Sequence, residues 1–411
     1  MRYISRRRAH LTVVPSAVAL LGLTSLAHAQ DPVAAPAPAD PAPPAAAAVT
    51  TEAAPAAVVE VAPPPQAEEA AAPAGLDLKV AFGVGLRTEF IIDPDRDDPQ
   101  DSPVYTMNHN LRPYINGQVH EYLKFEGNLD SDAENIRVLD AVLKFEFHEY
   151  FNLWAGHFLP PSDRANLSGP YFQNAWTYPG GVHGYPSGYA GRNDGLAVWG
   201  QVNGGQFKWQ LGLFDMANGM GDGTPDPRFA GRLTFNVLDP EPGYYNSSTY
   251  YGTKDVLAFG AVLHHKPAAE DAPDQAADTL WNLDALYENS FAGAGTLDVE
   301  AAFYGFGGAD AGTSFFALAS FLFQSPVGIG QLQPMVRFQR AGFSDEDTFG
   351  GITAPVDTDA SITTIDAGLH YIISGHNARL AATVQHESVS VGDADSVTDT
   401  VFILGAQIQA F

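Results

Sequence analysis

From residue 76 to the end of the chain, apolar and polar side chains alternate with a period of two, which predicts β-strands. The first such segment places Val80, Phe82 and Val84 on one face and Lys79 and Arg87 on the other. We count sixteen segments of this kind, many of ten residues or more. A soluble antiparallel sandwich with one wet face alternates in the same way. The number and length of the segments favour a transmembrane β-barrel instead, because its strands need about 9–11 residues with apolar side chains facing lipid.

The connections between the segments alternate between short and long, as expected if both chain ends lie on the periplasmic side of a barrel. The short connections, predicted to be tight turns, are residues 120–121, 148–150, 203–205, 291–295, 325–330 and 374–377. The long connections, predicted to be outer loops, are residues 93–105, 160–193, 217–227, 266–278 and 341–360. One connection, 239–252, is long where a tight turn is expected, and two outer loops, near Asp130 and Gly308, are short. The pattern predicts sixteen strands, plus or minus two, over residues 76–411.

The chain closes on a strand-like segment, 401–411, whose last residue is aromatic, as in many bacterial outer-membrane barrels. Its apolar face carries Leu404, Ala406 and Ile408, whereas Phe411 falls on the opposite face with two glutamines. A bulge near the end would bring Phe411 onto the apolar face. The segment therefore supports an outer-membrane barrel, with its terminal register left open.

The N-terminal 75 residues have a different character. Residues 1–29 have the pattern of a cleaved secretory signal, with four arginines, an apolar stretch and the small-x-small site Ala27-His-Ala29. Residues 30–75 are almost wholly Ala, Pro and Val with a few acids, a composition that cannot bury enough apolar surface to fold. We expect a disordered, partly polyproline periplasmic segment there, acting either as a tether that contacts the cell wall or as an inert leader.

Composition excludes several classes of function. The chain has no cysteine, so disulfides, zinc–thiolate sites and thiol catalysis are excluded. Without the signal the chain has 17 basic and 48 acidic residues, a net charge of −31. Nucleic acid is therefore not expected as a partner, since phosphate binding needs clustered Lys and Arg.

Four segments in the first half of the chain resemble one family, the phosphate-selective porins O and P. They match, in order, a strand with an inward Asp, a strand entering a Pro-bearing third loop, an Arg-Asp-Gly re-entry strand and a Phe-Asn-Gly-type strand end. The segments are Arg137-Val-Leu-Asp-Ala-Val-Leu143, Trp154-Ala-Gly-His-Phe-Leu-Pro-Pro-Ser162, Arg192-Asn-Asp-Gly-Leu-Ala-Val-Trp-Gly200 and Leu211-Gly-Leu-Phe-Asp-Met-Ala-Asn-Gly219. The resemblance implies a sixteen-stranded, usually trimeric barrel whose third loop folds inward and narrows the pore.

On this chain the third loop is the connection from Pro160 to Asn193, the longest of all. A loop of more than 30 residues in a compact barrel is uncommon unless it has a function, although a floppy outer loop is the alternative. The constriction residues expected in it or beside it are Asp163, Arg164, Tyr171, Trp176, His183, Arg192 and Asp194.

Strand positions on the polar face carry balanced charge. The inward basic residues are Lys79, Arg87, Arg112, Lys124, Lys144, Lys208, Arg228, Arg232, Arg337 and Arg379. The inward acids are Glu89, Glu126, Asp140, Glu146, Asp284, Glu288, Asp298, Glu300, Asp366 and Glu387. Because charged rings set pore selectivity, a balanced wall under acidic loops predicts a weakly selective or mildly cation-preferring channel. The arginines expected to line the pore are Arg112, Arg228, Arg232 and Arg337, which form an anion path if they align and stiffen the barrel if each pairs with a carboxylate.

Catalytic and metal sites have little support. The chain has no Gly-x-Ser-x-Gly, His-Glu-x-x-His or phosphate-loop motif, so we expect neither an enzyme nor a cofactor. His264 and His265 are neighbours in a strand and point to opposite faces. Asp93, Asp95 and Asp97 have the spacing of a calcium or lipopolysaccharide bridge but lack the Gly and Glu of an EF-hand, so a solvated acidic loop is favoured.

The sequence therefore predicts a passive outer-membrane porin for small hydrophilic solutes and ions, in contact with outer-membrane lipids and lipopolysaccharide. One alternative is an anion- or phosphate-selective channel of the same family. Another is a structural outer-membrane anchor, tethered to the cell wall by residues 30–75, whose pore is incidental or plugged.

Overall fold

A computed structural model describes residues 78–94, 104–131, 135–180, 191–215, 227–268, 277–307, 312–344, 348–349, 352–353 and 358–410. Long alternating segments become strands, as their pattern predicts, and the described residues include one α-helix, α1 (Arg164–Phe172), in the third loop. The strands are β1 (Lys79–Asp93), β2 (Val104–His120), β3 (Leu123–Ser131), β4 (Ile136–His148), β5 (Phe151–Phe158), β6 (Asn193–Val202), β7 (Phe207–Phe214), β8 (Arg228–Asn236), β9 (Val256–Lys266), β10 (Asp278–Phe291), β11 (Gly295–Phe306), β12 (Gly312–Phe323), β13 (Gln331–Ser344), β14 (Thr348–Phe349), β15 (Ile352–Thr353), β16 (Asp359–Ser374), β17 (Ala378–Val391) and β18 (Val397–Ala410).

Sixteen of these strands form one closed antiparallel barrel, which confirms the predicted fold. Each strand pairs with its neighbours in the chain, and β1 closes the ring by pairing with β18 from Val84 opposite Ala410 to Ile92 opposite Phe402. The two remaining strands, β14 and β15, form a small hairpin in the connection between β13 and β16. Closure leaves no sheet edge unpaired within the barrel, which suits a domain without disulfides.

The two faces of the wall differ as the alternation predicts. Outward side chains are apolar and uncovered by protein, for example Phe82 at 71% and Ile136 at 75% exposure. Inward positions carry the polar and charged side chains. A lipid-facing apolar band around a polar interior is the arrangement of a transmembrane barrel.

One predicted residue lies on the wrong face. Period-two alternation along the sequence of β4 places Leu139 on the lipid face with Leu143 and Phe147, but Leu139 is 1% exposed. The pairing of β3 with β4 shifts here, because Asn128 opposes Asp140 whereas Leu129 opposes Val138. Leu139 is the extra residue of this bulge, which turns it away from lipid.

The connections define two ends of the barrel. The end that carries the tight turns, here called the turn end, also holds the N-terminus of β1 and the C-terminus of β18, and the opposite end is called the loop end. The exceptional connection between β8 and β9 starts from the turn end and is not a tight turn. The β18 pairing continues without a register shift to Ala410, so no bulge corrects the terminal face there.

Several sequence expectations fall on residues that the structure does not describe. These are the signal, the Ala/Pro segment, Phe411 and the acidic residues Asp95 and Asp97. In the described part of the chain, no helix has the length and apolar character needed to cross a bilayer.

Candidate functional site

The third loop leaves β5 and enters the lumen, as expected. Its helix α1 begins after Asp163, whose side chain accepts a hydrogen bond from the backbone N–H of Asn166 at 3.3 Å and so caps the helix. Gly169 adopts a φ of +65°, which breaks the helix before Pro170. All residues of α1 from Arg164 to Tyr171 are buried. The loop is therefore a packed segment inside the barrel.

Inward side chains of distant strands hold the backbone of this loop. The guanidinium of Arg232 donates to the Ser162 carbonyl at 3.0 Å, and that of Arg337 to the Thr177 carbonyl at 2.7 Å. Arg379 donates to the Pro170 and Gln173 carbonyls at 3.0 and 2.6 Å. Irregular backbone inside a membrane barrel needs such donors, because its carbonyls have no strand partner. These contacts fix the loop across the lumen, from β8 to β17.

The connection between β8 and β9, residues 237–255, also folds into the lumen, from the turn end; we call it the inner turn. Its Glu241 receives two hydrogen bonds from Arg164, both at 2.7 Å. The Ser248 N–H donates to the Phe172 carbonyl at 3.1 Å, and the Tyr244 hydroxyl to the Leu159 carbonyl at 3.0 Å. The third loop and the inner turn thus meet inside the barrel and form one plug.

The inner turn is held to the wall as well. Glu288 on β10 accepts hydrogen bonds from the Thr249 hydroxyl at 2.9 Å and from the Tyr250 and Gly252 N–H groups at 2.6 Å each. Lys208 on β7 donates to the Asn246 side chain at 2.5 Å. Glu288 and Lys208, which the sequence assigned to a charged pore wall, therefore bind the inner turn and hold it in place.

Apolar packing fills the space between the plug and β5–β8. Trp154, Phe158, Trp199 and Phe214 on the wall pack with Tyr244 and Tyr245 of the inner turn in one buried cluster. The Trp154 and Tyr244 rings stack with centroids 4.6 Å apart. The Lys144 ammonium lies 4.0 Å above the Trp154 ring and pairs with Glu126. This part of the lumen is a protein core and not a water-filled passage.

The Arg164–Glu241 pair joins the two halves of the plug electrostatically. Burial alone would raise the pKa of Glu241, but the Arg164 guanidinium and its hydrogen bonds outweigh burial and lower that pKa to about 2. Asp163 differs, because burial and the neighbouring Asp284 carboxylate raise its pKa to about 6, against the opposing effects of the Tyr304 hydroxyl and Arg232. Glu241 is therefore ionised at neutral pH, whereas Asp163 titrates just below neutral pH.

The four arginines proposed as a pore lining each lie beside a carboxylate. The shortest distances are 2.8 Å for Arg112–Asp130, 3.0 Å for Arg228–Asp215, 2.6 Å for Arg232–Asp284 and 2.8 Å for Arg337–Asp366. These arginines are distributed over β2, β8 and β13 and do not share one strand. Their geometry matches the pairing alternative, and their role in permeation stays a prediction.

The remaining predicted residues are also paired or covered. Arg192 donates to Asp140 at 3.0 Å, and Asp194 lies 2.9 Å from the His157 ring. Tyr171 is 1% exposed, and His183 lies outside the described residues. His264 and His265 do face opposite sides, since one contacts the Pro161 carbonyl and the other the Thr279 hydroxyl. Among the described residues, no group of three or more His, Asp or Glu side chains is placed to hold a metal ion.

Sequence reasoning missed the inner turn. Its Glu241, Tyr244 and Ser248 were not among the candidate residues, although they contact the third loop. The available signal was the long connection at 239–252, where a tight turn was expected. The four tyrosines of that connection would have been an unusual composition for a solvated turn.

Neither a family model nor a curated protein matches the sequence. Solved structures do match: an anion-selective porin from Comamonas acidovorans has a TM-score of 0.52 and 12% identity, covering 81% of this chain and 100% of that one. OprB from Pseudomonas putida has a TM-score of 0.54 and 11% identity, covering 80% and 94%. OmpF from Salmonella typhi, in complex with daunomycin, has a TM-score of 0.54 and 10% identity, covering 80% and 97%. The chain has the closed sixteen-stranded barrel fold of these outer-membrane porins.

Proposed function

We propose that the chain is a channel of the bacterial outer membrane that passes small hydrophilic solutes and ions by diffusion. The observation that carries the proposal is the wall, in which sixteen paired strands present apolar side chains outward and charged side chains inward. A closed barrel satisfies every strand hydrogen bond within lipid and still encloses polar groups. The fold shared with solved porins supports the same proposal.

The channel is proposed to be weakly selective or mildly cation-preferring. The polar face assigned from the sequence carries as many acids as bases, and the candidate arginines lie against carboxylates that neutralise them. A phosphate-selective channel is the alternative that the sequence resemblance suggests, and it needs cations that remain available to the anion. Ion pairing supports the general channel over the phosphate-selective one.

The test is the reversal potential of the refolded protein in a planar bilayer under a potassium chloride gradient, repeated with phosphate added. Conductance steps with a reversal potential near zero or on the cation side, insensitive to phosphate, are expected. An anion-side potential with block by phosphate would replace this proposal with the phosphate-selective alternative. Absence of any conductance step would remove the channel function.

A structural anchor is the second candidate, and the plug favours it because the plug fills much of the lumen. In that case residues 1–29 direct secretion and residues 30–75 tether the barrel to the cell wall. Deleting residues 31–74 separates the two functions. A channel keeps its conductance after the deletion, whereas an anchor loses its envelope phenotype. A homotrimer and contacts with lipopolysaccharide are further proposals for either function.

A further inference from the structure

The plug does not cover the wall evenly. We propose that solutes and ions cross along β1 and β2, beside the plug, and that Tyr171 closes this route in the present conformation. The inference rests on the proposed channel function and adds to it a location, a gate and a set of selectivity residues.

The wall opposite β1 is covered along its full height. On β8 every inward position is buried, namely Arg228, Ala230, Arg232, Thr234 and Asn236. The same holds on β11 for Thr296, Asp298, Glu300, Ala302, Tyr304 and Phe306. The plug contacts these strands directly, as in the hydrogen bond of 2.9 Å from the Tyr304 hydroxyl to Asp163. Solutes have no passage between the plug and this side of the wall.

Several inward positions of β1 and β2 remain accessible on either side of the middle of these strands. Towards the loop end, Arg87, Glu89, Asn108 and Asn110 are partly exposed. Ile91 and Asp93 beyond them on β1 are buried, so this vestibule opens along β2, where Thr106 is also partly exposed. Towards the turn end, Lys79 and Ala81 are exposed, and Asn116 and Gln118 are partly exposed. The register places the two groups on the same pair of strands, since Glu89 opposes Asn108 and Ala81 opposes Asn116. Two polar vestibules therefore face each other along one strip of wall.

Between the vestibules lies a narrow buried septum. Gly85 on β1 opposes Arg112 on β2, and the Tyr171 ring covers Gly85 so closely that an added Cβ would lie 2.7 Å from the ring. The neighbouring Gly83 is covered in the same way by the Tyr114 ring. The two inward glycines make room for two aromatic rings that lie across the route. The Tyr114 hydroxyl donates to the Ala410 carbonyl of β18 at 3.2 Å, which ties that ring to the wall, so the ring on the loop is assigned as the part that moves.

The position of Tyr171 is set by contacts that differ in strength. Its hydroxyl donates to the Asn110 side chain at 3.3 Å, and the Arg112 guanidinium lies 5.5 Å from the ring centroid. Its backbone is held more tightly, because Gln407 donates to the Tyr171 carbonyl at 2.9 Å. A side-chain rotation would therefore open the septum without release of the third loop.

This route also changes which charges meet a permeating ion. Arg87 and Glu89 line the loop-end vestibule and remain partly exposed, although Arg87 donates to the Trp176 carbonyl and Glu89 accepts from the Trp176 ring N–H, both at 2.7 Å. Lys124 and Glu146 form a partly exposed pair, 2.6 Å apart, near the turn end. The buried arginines of β8 and β13 are held by carboxylates and by the plug. Selectivity is therefore assigned to the β1–β4 groups, which include Arg112, and not to Arg228, Arg232 and Arg337.

Because the chain has no cysteine, single thiols can map the route without a background. The variants are Asn108→Cys and Asn116→Cys in the two vestibules and Ser314→Cys on β12, which is inward and 3% exposed. The reagent is a cationic methanethiosulfonate added to single channels in a planar bilayer, and the extent of labelling is read by mass. Labelling of both vestibule variants with a fall in conductance of several-fold, and no labelling of Ser314→Cys, is expected. Block through Ser314→Cys, or none through the vestibule thiols, would overturn the route.

Tyr171→Ala tests the gate and separates this inference from the channel proposal. The expected result is a conductance step at least twofold larger than that of the wild type, still blocked through Asn108→Cys. An unchanged step in a folded Tyr171→Ala barrel overturns the gate. If the wild type does not conduct but Tyr171→Ala does, the channel proposal fails for the resting protein while the gate stands. If neither conducts, both fail.

Discussion

Replacing Glu241 by Ala tests whether the two halves of the plug depend on one buried ion pair. Arg164 is fully buried and directs two hydrogen bonds at the Glu241 carboxylate. After the substitution, it keeps the Ser247 carbonyl at 2.7 Å and a distant Asp284 carboxylate at 3.9 Å. The Tyr250 hydroxyl, which donates to Glu241 at 2.5 Å, also loses its acceptor. The variant therefore leaves a buried cation with incomplete compensation.

The expected loss of stability in Glu241→Ala can be obtained in two ways. Lowering the pKa of Glu241 from 4.5 to about 2 corresponds to about 3 kcal/mol of stabilisation of the ionised form. Breaking a buried pair by removing one partner costs about 3–5 kcal/mol. The remaining Ser247 contact places the expected loss at the lower end, about 3 kcal/mol. The loss concerns plug docking first, since the pair joins two connections and no barrel strands.

The assay is urea unfolding of the refolded protein in lipid vesicles, followed by tryptophan fluorescence. Three of the five tryptophans report on the plug, because Trp176 lies in the third loop and Trp154 and Trp199 pack against the inner turn. Glu121→Ala, at an exposed turn, is the control and should change stability by less than about 0.5 kcal/mol. A loss of stability below about 1 kcal/mol in Glu241→Ala would refute the conclusion that the Arg164–Glu241 pair holds the two halves of the plug together. Its pH dependence is a second check: the folded pKa is lowered, so this stabilisation is present above pH 4.5 and lost as the pH falls towards 2.

Three further predictions use the urea unfolding assay or single-channel recording in planar bilayers. Burial raises the pKa of Asp163 to about 6, so protonation of this carboxyl should stabilise the protein by about 1 kcal/mol between pH 7.5 and pH 5. Asp163→Asn should reduce the gain measured in urea titrations at the two pH values by that amount. Gly85→Ala introduces a Cβ into the septum and should enlarge the conductance step by displacing the Tyr171 ring. Gly342→Ala is the control, because an added Cβ there meets open space, and it should leave single-channel records unchanged. Arg87→Gln removes a positive charge from the route and should move the reversal potential towards cation selectivity. Arg340→Gln, on the outer wall, is the control. Equal shifts in the two variants would show that the effect is not local to the route.

The sequence predicted the wall well because a strand in a barrel obeys a local rule. Side chains alternate between lipid and lumen with period two, so each segment encodes its own faces. The one failure, Leu139, shows the limit of that rule. A bulge adds a residue to one strand only, and it is defined by the pairing of β4 with β3, which a single segment does not contain.

The sequence by itself determined the closed barrel, its strand number and the presence of a long third loop, because these follow from period and connection length. Tertiary structure alone decided what fills the lumen. The inner turn meets the third loop across 77 positions of sequence, through Arg164 and Glu241. Burial of that pair, and the covering of β8 and β11, depend on how two connections fold across a closed ring. Composition and periodicity report nothing about such contacts, because the energy of a buried charge is set by the partner beside it in space.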